Sequence, residues 1–257
     1  MIERKFLAVN NVRLSYIDFD GHGTPLLALH GHFSCGRTFA GLADALGKHW
    51  RVVALDQRGH GWSDSPADCS REAYVHDVAR VIQRLNLAPV IVLGHSLGGV
   101  NAYQLAARHP TLVRALIIED IGAVVNTPSP VVWPKRFPSV KAVYDFLTNQ
   151  VSNISYFLES LVEYKDGWGF RFKLRYINRS RQSLAGDWWN DWLVSTCPTL
   201  LLHGHKSFAL ATEHAREMAT RRPNTHLVEF PHCGHVIHDE DPRGYFNAVK
   251  EFLSVLP

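Results

Sequence analysis

The pattern with the clearest chemical meaning is a serine enclosed by glycines. Residues 94–98 read Gly-His-Ser-Leu-Gly, after an apolar run at 90–93 and before a segment of helical character at 100–108. A sharp turn between a buried strand and a helix lifts the hydroxyl of Ser96 clear of the sheet, and glycines are needed where a Cβ would collide. Amides at the start of the helix favour developing negative charge. The pattern predicts that Ser96 is a nucleophile; a structural serine in a tight turn is the alternative.

A serine hydroxyl becomes a strong nucleophile only when a base takes its proton. Late in the chain, His235 follows Gly234 in a predicted loop between an extended segment at 225–230 and the last helix. His232 and His238 lie close by in the sequence, but only His235 has a glycine immediately before it. The sequence therefore predicts that His235 is the base.

Buried strands and amphipathic helices alternate along the chain, and this alternation must position the two groups. Five short runs are apolar almost throughout: residues 25–30, 51–56, 89–94, 115–119 and 199–203. Such runs are typical of parallel strands covered on both faces. Apolar residues repeat with helical spacing in 71–87 and 241–256. We predict an α/β fold with right-handed crossovers, and an antiparallel hairpin within the first twenty residues at one edge.

Four motifs, in this order, resemble those of the α/β-hydrolase superfamily. They are Leu-His-Gly-His at 29–32, Asp-Gln-Arg-Gly-His-Gly-Trp-Ser-Asp at 56–64, the glycine–serine motif at 94–99, and Gly-His at 234–235. The resemblance covers nearly all of the chain. It implies an α/β-hydrolase fold, with a mostly parallel eight-stranded sheet, helices on both faces and a helical cap insertion. The expected core is residues 1–123 and 196–257, and the expected cap is residues 124–195.

The acid that orients the histidine is where the chain departs from the commonest superfamily pattern. Most relatives carry Asp shortly after the seventh strand, but residues 202–208 hold no carboxylate and Ser207 takes that place. Asp120, after the predicted sixth strand, resembles a branch that places its acid there and includes some bacterial short-chain esterases. Neighbouring residues at a strand end face opposite ways, so Glu119 and Asp120 cannot both face His235. We predict that Asp120 is the acid; the alternatives are Glu119, a site supported by serine, or a site that has no acid.

A tetrahedral intermediate needs preorganised hydrogen-bond donors. One is expected to be the backbone N–H of Leu97, after the nucleophile, and the resemblance implies that the N–H of His32 is the other. His30 is then expected to brace the loop. Several histidines could converge with these residues, but none has a metal-ligand spacing such as His-Glu-x-x-His. We therefore expect no metal and no cofactor.

The predicted cap is rich in aromatic residues and is expected to be mostly helical. It holds five of the seven Trp and no strand-like aliphatic run. An aromatic pocket binds an apolar substrate and excludes water. The candidate pocket walls are Phe33, Trp133, Phe137, Phe157 and Trp188. Five basic cap residues have no acid among them: Arg171, Lys173, Arg175, Arg179 and Arg181. They could steer an anionic substrate, or form a solvated helix face, which is the reading favoured here.

Composition excludes several other classes of protein. The chain has 257 residues, of which 46% are hydrophobic and 20% charged, as in globular proteins. Its net charge of +3 is too small to indicate a nucleic-acid partner. No apolar run reaches the roughly 18 residues of a membrane span. The first residues lack a signal-peptide core, and the four Cys show no Cys-x-x-Cys spacing, so a reduced, cytoplasmic protein is expected. The sequence leaves the oligomeric state open.

These residues together favour a serine hydrolase with a small-molecule substrate. The expected activity is that of a carboxylesterase acting on small to medium apolar or aromatic esters through an acyl-enzyme, with Ser96, His235 and Asp120 as the catalytic triad. A carbon–carbon bond hydrolase, a lactonase, a cofactor-free dioxygenase and a ligand receptor with slow turnover are the alternatives on the same fold. Dehalogenases and epoxide hydrolases are disfavoured, because they carry Asp where Ser96 stands.

Overall fold

The computed structural model describes residues 3–256, so residues 1–2 and 257 of the predicted core lie outside the described part of the chain. The strands are β1 (Arg4–Val9), β2 (Val12–Asp18), β3 (Thr24–Leu29), β4 (Trp50–Asp56), β5 (Val90–His95), β6 (Val113–Glu119), β7 (Val124–Val125), β8 (Leu161–Tyr164), β9 (Gly167–Phe170), β10 (Gly186–Asp187), β11 (Thr199–Gly204) and β12 (Thr225–Phe230). The α-helices are α1 (Ala40–Leu46), α2 (Arg71–Arg84), α3 (Leu97–Arg108), α4 (Val140–Thr148), α5 (Ile154–Leu158), α6 (Leu174–Leu184), α7 (Trp189–Val194), α8 (Thr212–Arg221), α9 (Ile237–Glu240) and α10 (Pro242–Ser254).

Eight strands form one mostly parallel sheet, as the sequence predicts. Their order is β1-β2-β4-β3-β5-β6-β11-β12. The six strands from β4 to β12 run parallel, whereas β1 and β2 form an antiparallel hairpin at one edge. The carboxyl ends of β3, β5, β6 and β11 therefore meet at one edge of the sheet, where ligands bind in open α/β folds.

The sheet has an apolar core on each face, which explains why the sequences of its strands are apolar almost throughout. Successive side chains of a strand point to opposite faces. Leu27 and Val92 belong to the core cluster under α2 and α3, whereas Leu26 and Ile91 belong to the cluster under α1 and α10. All four side chains are fully buried. Helices therefore cover both faces, in agreement with the predicted fold class.

The segment 124–195 has a small apolar core of its own, which includes Phe137, Val143 and Leu147. It holds α4, α5, α6 and α7. It also holds an antiparallel hairpin of β8 and β9, which the prediction of a mostly helical segment does not include. The tight turn between these strands ends at Gly167, whose φ of +119° is a conformation that other residues rarely adopt. Because each strand has only four residues, the hairpin leaves a weak pattern in the sequence.

Candidate active site

Ser96 occupies the sharp turn between β5 and α3 that the sequence predicts. Its φ of 52° and ψ of −115° lie outside the regions that ordinary residues favour. The turn requires glycine at positions 94 and 98. A Cβ on Gly94 would lie 2.2 Å from the oxygen of Gly98, and one on Gly98 would lie 2.0 Å from the oxygen of Leu29, and both distances are too short. The backbone N–H of Ser96 donates to the oxygen of Glu119 at 3.0 Å, which ties the turn to β6.

Asp120 and His235 are joined by a short hydrogen bond. Nδ1 of His235 lies 2.7 Å from Oδ2 of Asp120, whose side chain is fully buried. Asp120 also accepts from Nδ1 of His203 at 3.2 Å, from the N–H of Gly204 at 3.1 Å and from the hydroxyl of Ser207. Burial alone would raise the pKa of Asp120, but these hydrogen bonds outweigh it and the pKa is lowered. The carboxylate is therefore ionised and can hold Nδ1–H of His235 in place.

Ser96 and His235 line the same cavity. No hydrogen bond joins their side chains within residues 3–256. In hydrolases without substrate this contact is often long and closes in the complex. The structure thus brings the predicted nucleophile and base to one cavity, and it binds the predicted acid directly to the base.

The two expected oxyanion donors belong to backbone segments at the same edge of the sheet. Leu97 is the first residue of α3, so its N–H has no acceptor within the helix. His32 lies in the loop after β3 and lines the cavity. Its oxygen accepts from the hydroxyl of Tyr156 at 3.0 Å, and its Nε2 lies 3.0 Å from the hydroxyl of Ser180. Both contacts come from residues of the segment 124–195, which therefore fixes the loop that carries the N–H of His32.

His30 braces this loop, as expected. Its Nδ1 donates to the oxygen of Gly31 at 2.7 Å, and its Nε2 accepts from the N–H of Gln57 at 3.0 Å. Burial lowers the pKa of His30 to about 4, so the ring is neutral and can accept from one side while it donates from the other.

The cavity above Ser96 has a volume of about 760 Å³. Three of the five predicted aromatic walls line it: Phe33, Trp133 and Phe157. Phe33 stacks on Trp133 with ring centroids 5.5 Å apart, and Phe157 lies 5.4 Å from Phe33. These rings form an apolar wall close to the residues that would perform the chemistry.

Two predicted walls lie elsewhere, and that part of the prediction is corrected. Phe137 is buried inside the small core of the segment 124–195, with its ring 5.2 Å from that of Phe146. Trp188 packs against the main core and donates its indole N–H to the oxygen of Leu184 at 2.9 Å. Aromatic content alone could not separate a residue that packs the cap from one that faces the cavity.

Many residues that line the cavity were not identified from the sequence as walls, and three of them are a tyrosine, a phenylalanine and an arginine. Tyr156 and Phe208 line the cavity, and the Phe208 ring lies 4.8 Å from that of His235. The third is Arg181, which the sequence marks only as one of five basic cap residues and which alone among those five lines the cavity. The position of Phe208, directly after Ser207, was an available signal.

A second acid–histidine pair lies beside the first. Nδ1 of His238 lies 2.8 Å from Oε1 of Glu119, and its Nε2 lies 2.9 Å from the hydroxyl of Thr38. Burial alone would raise the pKa of Glu119 and lower that of His238, but the attraction between the two reverses both directions. Glu119, the last residue of β6, and Asp120, which follows it with a φ of 51°, thus face different histidines.

Among residues 3–256 no cluster of His, Cys, Asp or Glu could hold a metal ion. No helix in this range is long and apolar enough to span a membrane. A cytoplasmic location and the lack of a nucleic-acid partner stay predictions.

A sequence model of the alpha/beta hydrolase family matches residues 26–249, so the chain belongs to that family. Among curated proteins it is similar to the sn-1-specific diacylglycerol lipase ABHD11 of Mus musculus, with 28% identity, 94% of this chain covered and 85% of that one. It is equally similar, at 28% identity, to a 2-(acetamidomethylene)succinate hydrolase of Mesorhizobium japonicum, with 91% and 89% covered. The solved structure of an E-2-(acetamidomethylene)succinate hydrolase superposes with a TM-score of 0.88 at 22% identity, over 99% of this chain and 100% of that one.

Proposed function

We propose that this protein is a serine hydrolase that cleaves carboxylic esters through an acyl-enzyme. The observation that carries the proposal is the 2.7 Å contact between Asp120 and His235 at the cavity that Ser96 lines. A buried carboxylate bound to Nδ1 leaves Nε2 of the ring as the base, which is the arrangement that serine nucleophiles need.

In the first half-reaction the hydroxyl of Ser96 attacks the ester carbonyl while Nε2 of His235 takes its proton. The negative charge that forms on the carbonyl oxygen is held by the N–H groups of Leu97 and His32, each contributing about 3–4 kcal/mol to the barrier reduction. The intermediate collapses, the alcohol leaves with the proton from His235, and Ser96 carries the acyl group. Asp120 stabilises the imidazolium throughout.

In the second half-reaction a water molecule takes the place of the alcohol. His235 removes its proton, the water oxygen attacks the acyl carbonyl, and the carboxylic acid leaves as Ser96 regains its proton. The wall of Phe33, Trp133 and Phe157 supports small to medium apolar or aromatic substrates, because it offers apolar area beside the reacting carbonyl. Relatives whose names denote a lipase and a putative esterase/lipase support the cleavage of an ester bond.

The test is covalent labelling combined with turnover. A fluorophosphonate should modify Ser96, as located by peptide mass spectrometry, and p-nitrophenyl butyrate should be hydrolysed over many cycles. Ser96→Ala should lose both, whereas Ser254→Ala, an exposed serine near the end of α10, should keep both. Labelling of another residue would overturn the proposal. Labelling of Ser96 with only a few turnovers would also overturn it and would favour a ligand receptor.

A further inference from the structure

Arg181 is the cationic side chain of the cavity that the proposed ester chemistry does not use. It lies on α6, is half-buried and lines the cavity together with Ser96 and His235. Its guanidinium donates to the oxygen of Ser129 at 2.9 Å, and its Cζ lies 5.9 Å from the centroid of the Phe33 ring. Phe33 follows His32, so the charge sits beside the loop expected to hold the oxyanion.

No carboxylate in the described part of the chain pairs with this charge. Among residues 3–256 none of the ion pairs includes Arg181, whereas Arg136 of the same segment pairs with Asp166 at 2.7 Å. The acid that lines the cavity is Glu240, whose carboxylate accepts from the N–H of Gly234 at 2.6 Å and of Val236 at 3.4 Å. Glu240 therefore stabilises the loop of His235 and does not pair with Arg181.

A half-buried guanidinium without a counter-charge is unfavourable for the unliganded protein. Burial is the cause that lowers the pKa of Arg181 from its ordinary value, yet an arginine stays charged at neutral pH. The planar guanidinium carries five donors that match a carboxylate in two parallel hydrogen bonds. One donated bond to a backbone oxygen leaves most of that capacity for a ligand.

We propose that the substrate carries a free, ionised carboxylate in addition to its ester group, and that Arg181 binds this carboxylate inside the cavity. This inference rests on the proposed function and specifies its substrate class. It makes Arg181 a specificity-determining residue: it binds a remote part of the substrate and does not touch the reacting carbonyl.

Matched ester pairs test the inference. Mono-p-nitrophenyl adipate and p-nitrophenyl hexanoate differ by a terminal carboxylate in place of a methyl group on the acyl side. 4-Carboxyphenyl hexanoate and phenyl hexanoate differ by a carboxylate in place of a ring hydrogen on the leaving group. The measured quantity is the ratio of kcat/KM for the anionic ester to that for its neutral partner, after subtraction of the rate with Ser96→Ala. We expect a ratio above one in at least one pair.

Arg181→Gln should lower this ratio by about 10- to 100-fold, the effect of losing a hydrogen bond to a charged group, mainly through a higher KM for the anionic ester. Arg181→Lys should restore part of it. The matched control is Arg179→Gln on the same helix, because Arg179 is exposed and donates to the oxygen of Ala67; it should leave the ratio within about twofold. An Arg181→Gln variant that loses activity equally on both members of each pair, or no preference in either pair, would overturn the inference.

A binding experiment separates this inference from the proposed function. The Ser96→Ala protein is titrated with monomethyl adipate and with methyl hexanoate, and the heat of binding is measured. The anionic compound should bind more tightly, and the advantage should disappear in the Ser96→Ala/Arg181→Gln protein. Equal binding of the two compounds, or no binding of monomethyl adipate, overturns the inference whether or not the protein hydrolyses esters. If the preference appears but no ester is turned over, the proposed ester chemistry fails, whereas the carboxylate-binding role of Arg181 stands.

Discussion

Two acid–histidine pairs extend side by side from the end of β6, and they differ in what the histidine can reach. Asp120 holds His235, whose side chain is 14% exposed and lines the cavity. Glu119 holds His238, whose side chain is 3% exposed and whose other nitrogen contacts Thr38. The local chemistry of the pairs is the same. Access to the cavity is the difference, and it is the reason why we propose that the first pair takes part in the reaction and that the second supports the fold.

His95 separates the two pairs. Its ring centroid lies 4.7 Å from that of His235 and 5.2 Å from that of His238. Its Nε2 donates to the backbone oxygen of His235 at 2.8 Å, and burial lowers its pKa to about 3, so the ring is neutral. A neutral spacer lets the buried pair hold the loop 235–238 without placing a charge beside the proposed base.

The largest expected effect distinguishes the two acids by activity. Asp120→Asn should lower kcat by about four orders of magnitude, because the histidine loses the partner that fixes its tautomer and stabilises its charged form. Glu119→Gln should lower kcat by less than about tenfold in the folded protein. Steady-state kinetics on p-nitrophenyl butyrate, with folding checked by circular dichroism, measures both. The opposite ranking would reverse the roles of the two pairs.

The second expected effect is on stability, and here Glu119→Gln should be more damaging than Asp120→Asn. Glu119→Gln leaves His238 buried without its counter-charge and should lower the free energy of unfolding by about 3–5 kcal/mol. Asp120→Asn should lower it less, since the side chain of His235 is 14% exposed and that of His238 only 3%, so the lost charge leaves a less deeply buried histidine. Urea denaturation followed by fluorescence compares the two variants. A more stable Glu119→Gln protein would show that burying this pair is itself unfavourable.

The buried pair should also give stability a defined pH window. Glu119 has its pKa lowered from 4.5 by folding, so its contribution is present above that value and is lost as the pH falls through the folded pKa. His238 has its pKa raised from 6.5, so its contribution is full below that value and is lost as the pH rises through the folded pKa. The stability difference between the natural chain and Glu119→Gln should therefore be full at about pH 5.5 and should decrease as the pH rises above 6.5 through the folded pKa of His238. A difference that shows no decrease at any alkaline pH at which the protein stays folded would exclude an ion pair.

The smallest effects concern the hydroxyl that completes each pair. Ser207 donates to Asp120, so Ser207→Ala should lower kcat by about tenfold. Thr38 contacts Nε2 of His238, so Thr38→Val should leave kcat within about twofold and lower the free energy of unfolding by about 1 kcal/mol. Both variants are measured by the same kinetic and denaturation experiments. A larger kcat effect from Thr38→Val would connect the buried pair to catalysis.

The sequence by itself determined the local features of the fold, which depend on residues that are close together along the chain. The turn at Ser96 follows from glycines one or two residues away, and the strands follow from apolar runs of five or six residues. The alternation of side chains predicted that Glu119 and Asp120 face opposite ways. Such features depend on sterics and burial within a few residues, so a single chain reveals them.

Apart from the Asp120–His235 pair, which the resemblance to the superfamily implied, only the tertiary structure decided which partners meet across long separations. Asp120 and His235 are 115 residues apart, and Glu119 and His238 are 119 apart. The exposure of one histidine and the burial of the other depend on how loops, helices and the segment 124–195 pack around the sheet edge. The same packing sends Phe137 into the core of that segment and Arg181 to the cavity. No local pattern encodes these choices, because the available space at each position is set by residues from several distant parts of the chain.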